Sequence, residues 1–177
     1  RTHGITRDKK FFSKKNFRIL PTHYEQVLLG YNFRLTDFQA ALARNQLKRI
    51  NKIFNERKKI CDYYDKSLIN LPIIKTKISK EVVSGYHLYI IRIDETKTKK
   101  KRFELVNYLL KKKISVGFHY IPIFLHYFYK KYNFKIDDFP NTKMFSNTAI
   151  SLPLYNGLDK KKLKRITALI SKFFNND

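Results

Sequence analysis

The feature that most constrains the fold is a long amphipathic segment in the first half of the chain. Thr36 followed by Gln39 forms a capping box, which predicts a helix start at this point. Apolar side chains then recur mainly at three- and four-residue spacings as far as Leu68, with charged residues largely on the other side. Asn70 and Pro72 end the pattern. The sequence therefore predicts one long helix over about residues 36–70.

Short strands and helices alternate after this segment. β-branched and aromatic runs predict strands over residues 73–78, 86–93, 114–119 and 150–154. Helical periodicity predicts helices over residues 100–112 and after Asp159, which is a good N-cap. The aromatic segment 120–147 is predicted to be a loop with short helices. This order is typical of a small α+β layer with helices packed on a sheet.

Length and composition limit the class of protein. At 177 residues with 43% hydrophobic residues, the chain is a globular domain, and a complete multi-domain enzyme is excluded. The one cysteine, Cys61, excludes an intrachain disulfide framework, and its place in the amphipathic helix predicts a packed core thiol. No apolar run reaches the ~20 residues that span a bilayer, and Arg1–Lys15 is too polar for a signal peptide. We expect a cytoplasmic protein, and the opening Arg1 without Met predicts a fragment.

The charge leaves a second class of protein open. The chain has 38 Lys+Arg against 14 Asp+Glu, a net +24 that favours nucleic acid or anionic partners. A nucleic-acid-binding protein would use lysines for phosphates and the 15 Phe and 12 Tyr for base stacking. The basic runs Lys99–Arg102, Lys111–Lys113 and Lys160–Lys162 are scattered, however, and favour a solvated surface. Most aromatic residues also fall on faces predicted to be buried.

Few residues form a recognisable chemical motif. The sequence contains no phosphate-binding glycine loop, no paired histidines for zinc and no serine nucleophile elbow, so no metal site is predicted. Asn32 and Arg34 lie just before the capped helix, where amide and guanidinium donors suit a phosphate. Alternatively, both side chains satisfy backbone carbonyls around a tight approach at Gly30. His119 and Tyr120 end a predicted strand and form a second polar pair.

Six short segments, in this order, carry a resemblance to a known family. They are Arg1–Ile5, Gly30–Leu42, Asn45–Lys48, Tyr86–Tyr89, His119–Ile123 and Ser151–Tyr155. On these segments the chain resembles the pyridoxal phosphate-dependent sugar aminotransferases of the DegT/DnrJ/EryC1/StrS group. Within that group it is most similar to the branch that aminates a UDP-linked sugar on the pseudaminic acid route.

The resemblance implies the architecture of the intact protein. It implies an α/β fold, the C-terminal part of a fold type I transferase, with active sites shared across a homodimer. Residues 1–35 would end the large cofactor domain, 36–70 would form the connecting helix and 71–177 the small α+β domain. The Schiff-base lysine of the family falls upstream of this sequence. No catalytic residue is therefore assigned here, and the chain alone is expected to be inactive.

The resemblance also implies roles for the two polar pairs. By matching position, Asn32 would reach the cofactor phosphate of the partner subunit, with Arg34 as a nearby supporting group. His119 and Tyr120 would lie near the nucleotide-sugar, where histidine hydrogen-bonds and tyrosine stacks or donates. These four residues are the predicted cofactor-binding and substrate-binding groups.

Other matching positions receive a structural interpretation, and two positions depart from the family. His87 is interpreted as a satisfied core histidine on an apolar strand, and His3 is also interpreted as structural. Where the family usually has Ala-Glu before its last strand, this chain has Thr142 and Lys143, so any carboxylate role there is lost or moved. Asn156 replaces a frequent proline and is expected to change only a turn.

The implied reaction transfers an amino group from a donor such as glutamate, through pyridoxal phosphate, to a UDP-linked 4-keto-6-deoxy sugar. A dehydratase of the same family, in which histidine replaces the Schiff-base lysine, is the close alternative. The residue that discriminates the two lies upstream. No membrane partner is expected.

Overall fold

The computed structural model describes residues 3–12 and 25–175. The first two residues of the segment Arg1–Ile5, and the end of the segment Arg1–Lys15, lie outside the described residues. The chain forms two compact units, Arg1–Arg49 and Ile50–Asp177. Their boundary falls inside the predicted helix. The predicted domain limits at residues 35 and 70 of the intact protein stay a prediction.

The first unit contains little regular structure besides one helix. Its elements are a short antiparallel pair, β1 (Ile5–Thr6) and β2 (Glu25–Gln26), a 3₁₀ turn at Lys9–Phe11, and helix α1 (Asp37–Lys48). No residue of α1 is buried. Phe38 and Leu42, two members of the predicted apolar stripe, are 74% and 52% exposed. The apolar side chains of α1 therefore lie on the surface.

The predicted single helix over residues 36–70 is wrong in its continuity. Helix α2 (Ile50–Ser67) follows α1 after a turn at Arg49. The Arg49 N–H donates to Gln46 O at 3.0 Å, a bond to the third preceding residue that tightens the backbone as a 3₁₀ helix does. The predicted end of the segment near Leu68 agrees with the end of α2 at Ser67.

A three-stranded antiparallel sheet forms the centre of the second unit. Its strands are β3 (Ile73–Lys75), β4 (Tyr89–Ile93) and β5 (Ala149–Leu152), in the order β3-β4-β5. Ile73 pairs with Ile93, and Ile91 pairs with Ile150. All four residues of β5 are buried, so both faces of this strand are covered.

Helices α2, α3 (Arg102–Lys111) and α5 (Lys160–Asn175) contribute side chains to the same core as the sheet. Tyr64 is fully buried, stacks on Tyr89 at 4.8 Å between ring centroids, and donates its hydroxyl to Pro153 O at 2.9 Å. Cys61 lies in this core, as predicted. The N-cap at Asp159 is also confirmed, because its Oδ1 accepts from the Lys162 N–H at 2.7 Å.

The predicted strand over residues 114–119 is not formed. The chain leaves α3 through Lys113, which has a φ of 60°, and the Ile114 N–H donates to Leu109 O at 2.9 Å. These contacts close the helix end, and only an isolated bridge between Gly117 and Ser151 follows. The next segment contains short helices as predicted: 3₁₀ turns at Ile123–Leu125, Tyr127–Tyr132 and Ile136–Asp138, then helix α4 (Pro140–Thr148).

The exposure of the aromatic residues differs from the prediction. Many lie on the surface rather than on buried faces, including Tyr31, Phe33, Phe103, Phe128 and Phe134. These exposed aromatic side chains leave nucleic-acid binding open. No described helix combines the length and apolar character needed to cross a bilayer.

Candidate functional site

Two glycines determine the path of the chain before α1. An ideal Cβ built on Gly30 would lie 2.3 Å from Gly4 N, and one built on Gly4, at a φ of 71°, would lie 1.8 Å from Leu28 O. Side chains are therefore excluded at both positions. The His3 N–H donates to Tyr31 O at 3.2 Å across this approach. The structural role that the sequence suggests for His3 is therefore carried by its backbone. The tight approach holds the segment that carries Asn32 and Arg34.

Asn32 and Arg34 are exposed, and within the described residues neither side chain makes a hydrogen bond or an ion pair. The alternative that they satisfy carbonyls around Gly30 is thus not supported in this part of the chain. The neighbouring rings of Tyr31 and Phe33 stack on each other at 5.0 Å. An amide and a guanidinium are left with their donors available to a ligand.

The predicted capping box is present at the start of α1. Thr36 Oγ1 accepts from the Gln39 N–H at 3.2 Å, and Gln39 Oε1 accepts from the Thr36 N–H at 3.0 Å. These backbone donors already have partners. Phosphate recognition here would therefore depend on the side chains of Asn32 and Arg34 more than on the helix amides.

His119 and Tyr120 lie in the second unit and face different surroundings. His119 is half-buried, and its Nδ1 lies 2.7 Å from Ser151 Oγ on β5. Tyr120 is 73% exposed, and its ring meets the His119 ring edge-on at 4.8 Å between centroids. The peptide bond between the two residues is cis. The His119 side chain is held by Ser151 and Tyr120, whereas most of the Tyr120 side chain is exposed.

Tyr120 lines a surface pocket of about 560 Å³. Phe118 and Leu125 contribute to its apolar wall, and Arg102 and His126 contribute basic side chains. None of the described residues that line the pocket is acidic. The volume is in the range of small-molecule sites, and the lining suits a ligand that combines an apolar or flat body with negative charge.

Among the described residues that line this pocket, Arg102 is the permanently charged cation. It is half-buried at the first position of α3, and its guanidinium lies 4.7 Å from the centroid of the Phe118 ring. Burial lowers the pKa of Arg102 from its ordinary value. In the part of the chain that the structure describes, Arg102 makes no ion pair. An anion in the pocket would supply the missing counter-charge.

The remaining sequence-predicted positions receive clear placements. His87 is exposed just before β4, so its interpretation as a core histidine is wrong. Lys143, where the resemblance implies a glutamate, pairs with the carboxylate of Asp137 on the preceding turn. Among the described residues, no group of three or more His, Cys, Asp or Glu side chains is arranged to hold a metal ion.

Sequence reasoning missed Arg102 and Ser151. Arg102 ends a basic run that the sequence predicts to be solvated, whereas in the structure it is half-buried with its guanidinium over the Phe118 ring. The sequence predicts no role for Ser151 beyond its place in the Ser151–Tyr155 segment. The signal that could have found it is a lone polar residue in the middle of an otherwise apolar strand.

Asn156 was also misjudged. Its amide donates to Glu56 Oε2 at 2.9 Å and to Ile53 O at 3.2 Å, and its carbonyl oxygen accepts from Arg57 Nε at 3.1 Å. The expectation that this residue changes only a turn is wrong, because its side chain joins the turn before α5 to helix α2.

Solved sugar aminotransferases have this arrangement of helices and sheet, and the expectation of a fold type I transferase is confirmed. The Streptococcus pneumoniae protein Spr1654, a candidate sugar aminotransferase, superimposes with a TM-score of 0.80 in its PMP-form at 28% identity, covering 97% of this chain and 42% of that one. Its PLP-form gives a TM-score of 0.76 at 27% identity, covering 97% of this chain and 41% of that one. The chain belongs to the DegT/DnrJ/EryC1/StrS aminotransferase family, whose model matches residues 1–171.

Curated relatives extend the comparison. The uncharacterised protein MJ1066 of Methanocaldococcus jannaschii is 35% identical over 88% of this chain and 40% of its own length. The UDP-4-amino-4,6-dideoxy-N-acetyl-beta-L-altrosamine transaminase of Campylobacter jejuni is 33% identical over 93% of this chain and 40% of its own length. The chain thus spans about 40% of the length of these relatives.

Proposed function

We propose that the intact protein is a pyridoxal phosphate-dependent aminotransferase that acts on a UDP-linked 4-keto-6-deoxy sugar, with glutamate as a suitable amino donor. The observation that carries the proposal is the family match over residues 1–171. The 33% identity to the Campylobacter jejuni transaminase supports a UDP-sugar of the pseudaminic acid type. The proposed location is the cytoplasm.

The residues of the first unit fit the phosphate of the cofactor. Asn32 and Arg34 are exposed next to the Gly4–Gly30 approach and have no partner among the described residues. Pyridoxal phosphate, when bound, supplies the carbonyl group and the electron sink that amino transfer requires. Asn32 would donate to its phosphate across a homodimer interface, and Arg34 would add positive charge. The exposed apolar residues of α1, including Phe38 and Leu42, suit burial in such an interface.

The pocket of the second unit fits the nucleotide-sugar. Arg102 would pair with a phosphate oxygen, and the exposed Tyr120 ring would stack on or donate to the ligand. The apolar wall at Phe118 and Leu125 would exclude water from the flat part of the substrate. His119 would present its remaining ring nitrogen to a substrate oxygen.

The experiment tests Asn32 in the full-length protein with its upstream segment restored. Asn32→Ala should weaken cofactor retention about ten- to hundredfold, because a hydrogen bond to a charged acceptor contributes roughly 1.5–3 kcal/mol. Asn55→Ala, at an exposed asparagine of α2, is the matched control and should retain the cofactor normally. Dimer assembly should survive in both variants.

Subunit mixing then tests the shared site. Asn32→Ala subunits are combined with subunits that lack the upstream lysine, so that one of the two sites in a heterodimer receives both intact residues. Activity should return in the mixture. Heterodimers that form without regaining activity would refute the cross-subunit assignment of Asn32.

Two further measurements separate the alternatives. Transfer of ¹⁵N from labelled glutamate to the sugar supports the transaminase, whereas loss of a sugar hydroxyl without nitrogen supports the dehydratase. Retention of single-stranded DNA at physiological salt, with steep salt dependence, would support nucleic-acid binding instead. The isolated chain should hold pyridoxal phosphate weakly or not at all and form no bond to it that borohydride traps, because the lysine is expected upstream.

A further inference from the structure

We propose that Ser151 is a positioning residue, which holds the His119 ring in the tautomer that carries its proton on Nε2. The fixed Nε2–H then donates to an acceptor oxygen of the bound substrate. The use of this donor rests on the proposed function, whereas the position and tautomer of the ring are properties of the chain itself.

The location of Ser151 requires a partner for its hydroxyl group. Ser151 is 5% exposed in the middle of β5, a strand whose four residues are all buried. A buried hydroxyl that lacks a hydrogen bond destabilises the fold, so polar groups at such sites are almost always paired. The partner of Ser151 Oγ is His119 Nδ1, at 2.7 Å.

The backbone brings the two residues together. Gly117 and Ser151 exchange both bonds of an antiparallel bridge, with Gly117 N to Ser151 O at 3.0 Å and Ser151 N to Gly117 O at 2.9 Å. The segment that carries His119 is thereby fastened to β5. This bridge brings together His119 and Ser151, which lie 32 positions apart in the chain.

Gly117 provides the space for the ring. An ideal Cβ built on Gly117 would lie 2.6 Å from His119 Cε1 and 3.3 Å from Nδ1. Any side chain at this position would therefore displace the imidazole. With the Tyr120 ring edge-on at 4.8 Å, the imidazole is confined by Gly117, Ser151 and Tyr120.

The hydrogen-bond inventory selects the tautomer. If Nδ1 carried the proton, it would donate to Ser151 Oγ, and the serine hydrogen would need a second acceptor. Within the described residues Ser151 Oγ has no partner other than His119. If the serine donates to Nδ1 instead, both groups are satisfied and the ring proton lies on Nε2. His119 Nε2 has no protein partner in the same part of the chain, so its N–H is left for a ligand.

The test is long-range ¹H–¹⁵N correlation NMR on the uniformly ¹⁵N-labelled chain at about pH 8.5, where an ordinary imidazole is neutral. The chain has five histidines, and His119→Gln identifies the His119 signals. The wild-type ring should be mainly the Nε2–H tautomer. Ser151→Ala should lower the ratio of Nε2–H to Nδ1–H by about three- to tenfold, the factor that one neutral hydrogen bond supplies.

Matched variants separate positioning from general stability. Ser151→Thr keeps a hydroxyl and should restore the tautomer ratio. Thr167→Ala removes another buried hydroxyl, which bonds Leu163 O at 3.1 Å, and should leave the His119 signals unchanged. Gly117→Ala should shift the His119 signals while Ser151 is intact, and it serves as the second probe if Ser151→Ala does not fold.

Two results would overturn the proposal. One is a wild-type His119 ring with its proton mainly on Nδ1. The other is a Ser151→Ala variant whose ratio of Nε2–H to Nδ1–H equals that of the wild type. If Ser151→Ala does not fold, unchanged His119 signals in Gly117→Ala would overturn the proposal instead. None of these measurements uses cofactor or sugar. If the intact protein has no transaminase activity, the proposed function is refuted, but the tautomer of His119 and the role of Ser151 in setting it are not affected.

Discussion

Replacement of Asn156 by alanine should destabilise the second unit by about 2–3 kcal/mol. The Asn156 side chain makes three hydrogen bonds, two with the charged groups of Glu56 and Arg57 and one with Ile53 O. A neutral bond contributes roughly 0.5–1.5 kcal/mol and a bond to a charged group roughly 1.5–3 kcal/mol. Because Asn156 is only half-buried, water replaces part of each bond in the variant, so the expected loss lies below the roughly 3.5 kcal/mol to which the lower ends of these ranges add.

Thermal and urea unfolding followed by circular dichroism measure this loss. For a chain of this size, each kcal/mol lowers Tm by about 2–4 °C, so a decrease of roughly 4–12 °C is expected. Asn107→Ala, at an exposed asparagine of α3, is the control and should change Tm little. A loss below about 0.5 kcal/mol in Asn156→Ala would refute the argument that these bonds join the turn to α2.

Two further predictions concern buried titratable groups. Burial raises the pKa of the Cys61 thiol to about 11. A thiolate-specific reagent at neutral pH should therefore label Cys61 only after urea unfolding. Labelling in native buffer as fast as in urea would contradict this prediction. Burial also raises the pKa of Tyr64 and of Tyr89, whose hydroxyl donates to Asp65 Oδ1 at 2.7 Å. Above about pH 10, the ordinary pKa of tyrosine, the unfolded state therefore releases phenolic protons that the folded state keeps. The stabilisation that is present below about pH 10 is lost as the pH rises above this value. Urea midpoints at about pH 8 and pH 10.5 should differ less in Tyr89→Phe than in the wild type, and an equal fall in both would contradict the assignment.

Structural features whose interacting residues lie close together in the sequence were predictable. The capping box of Thr36 and Gln39 and the N-cap at Asp159 are both present, because the side chain and the amide that it satisfies are close in sequence. The strands around Tyr89 and Ser151 were also found from their apolar runs. Local chemistry dictated these elements directly.

Features that depend on distant partners were not predictable. His87 shares the alternating pattern of β4, yet it lies outside the hydrogen-bonded strand and is exposed. Residues 114–119 have strand-like composition, but the Ile114 N–H bonds to the end of α3 and the segment forms only the isolated bridge at Gly117. At the site, Arg102 lies over the ring of Phe118, and the hydrogen-bond partner of His119 is Ser151. No periodicity in the sequence reveals such pairs.

The strand order has a consequence for folding kinetics. β4 pairs with β5, although residues 94–148 separate the two strands in the chain. Closing such a span costs entropy before any pairing energy is gained, so the β4–β5 ladder should form late. During synthesis, a nascent chain that has not yet emerged beyond Ser151 carries His119 without its hydroxyl partner. The imidazole therefore reaches its final position only when the third strand docks, which makes the arrival of β5 the step that completes both the sheet and the histidine.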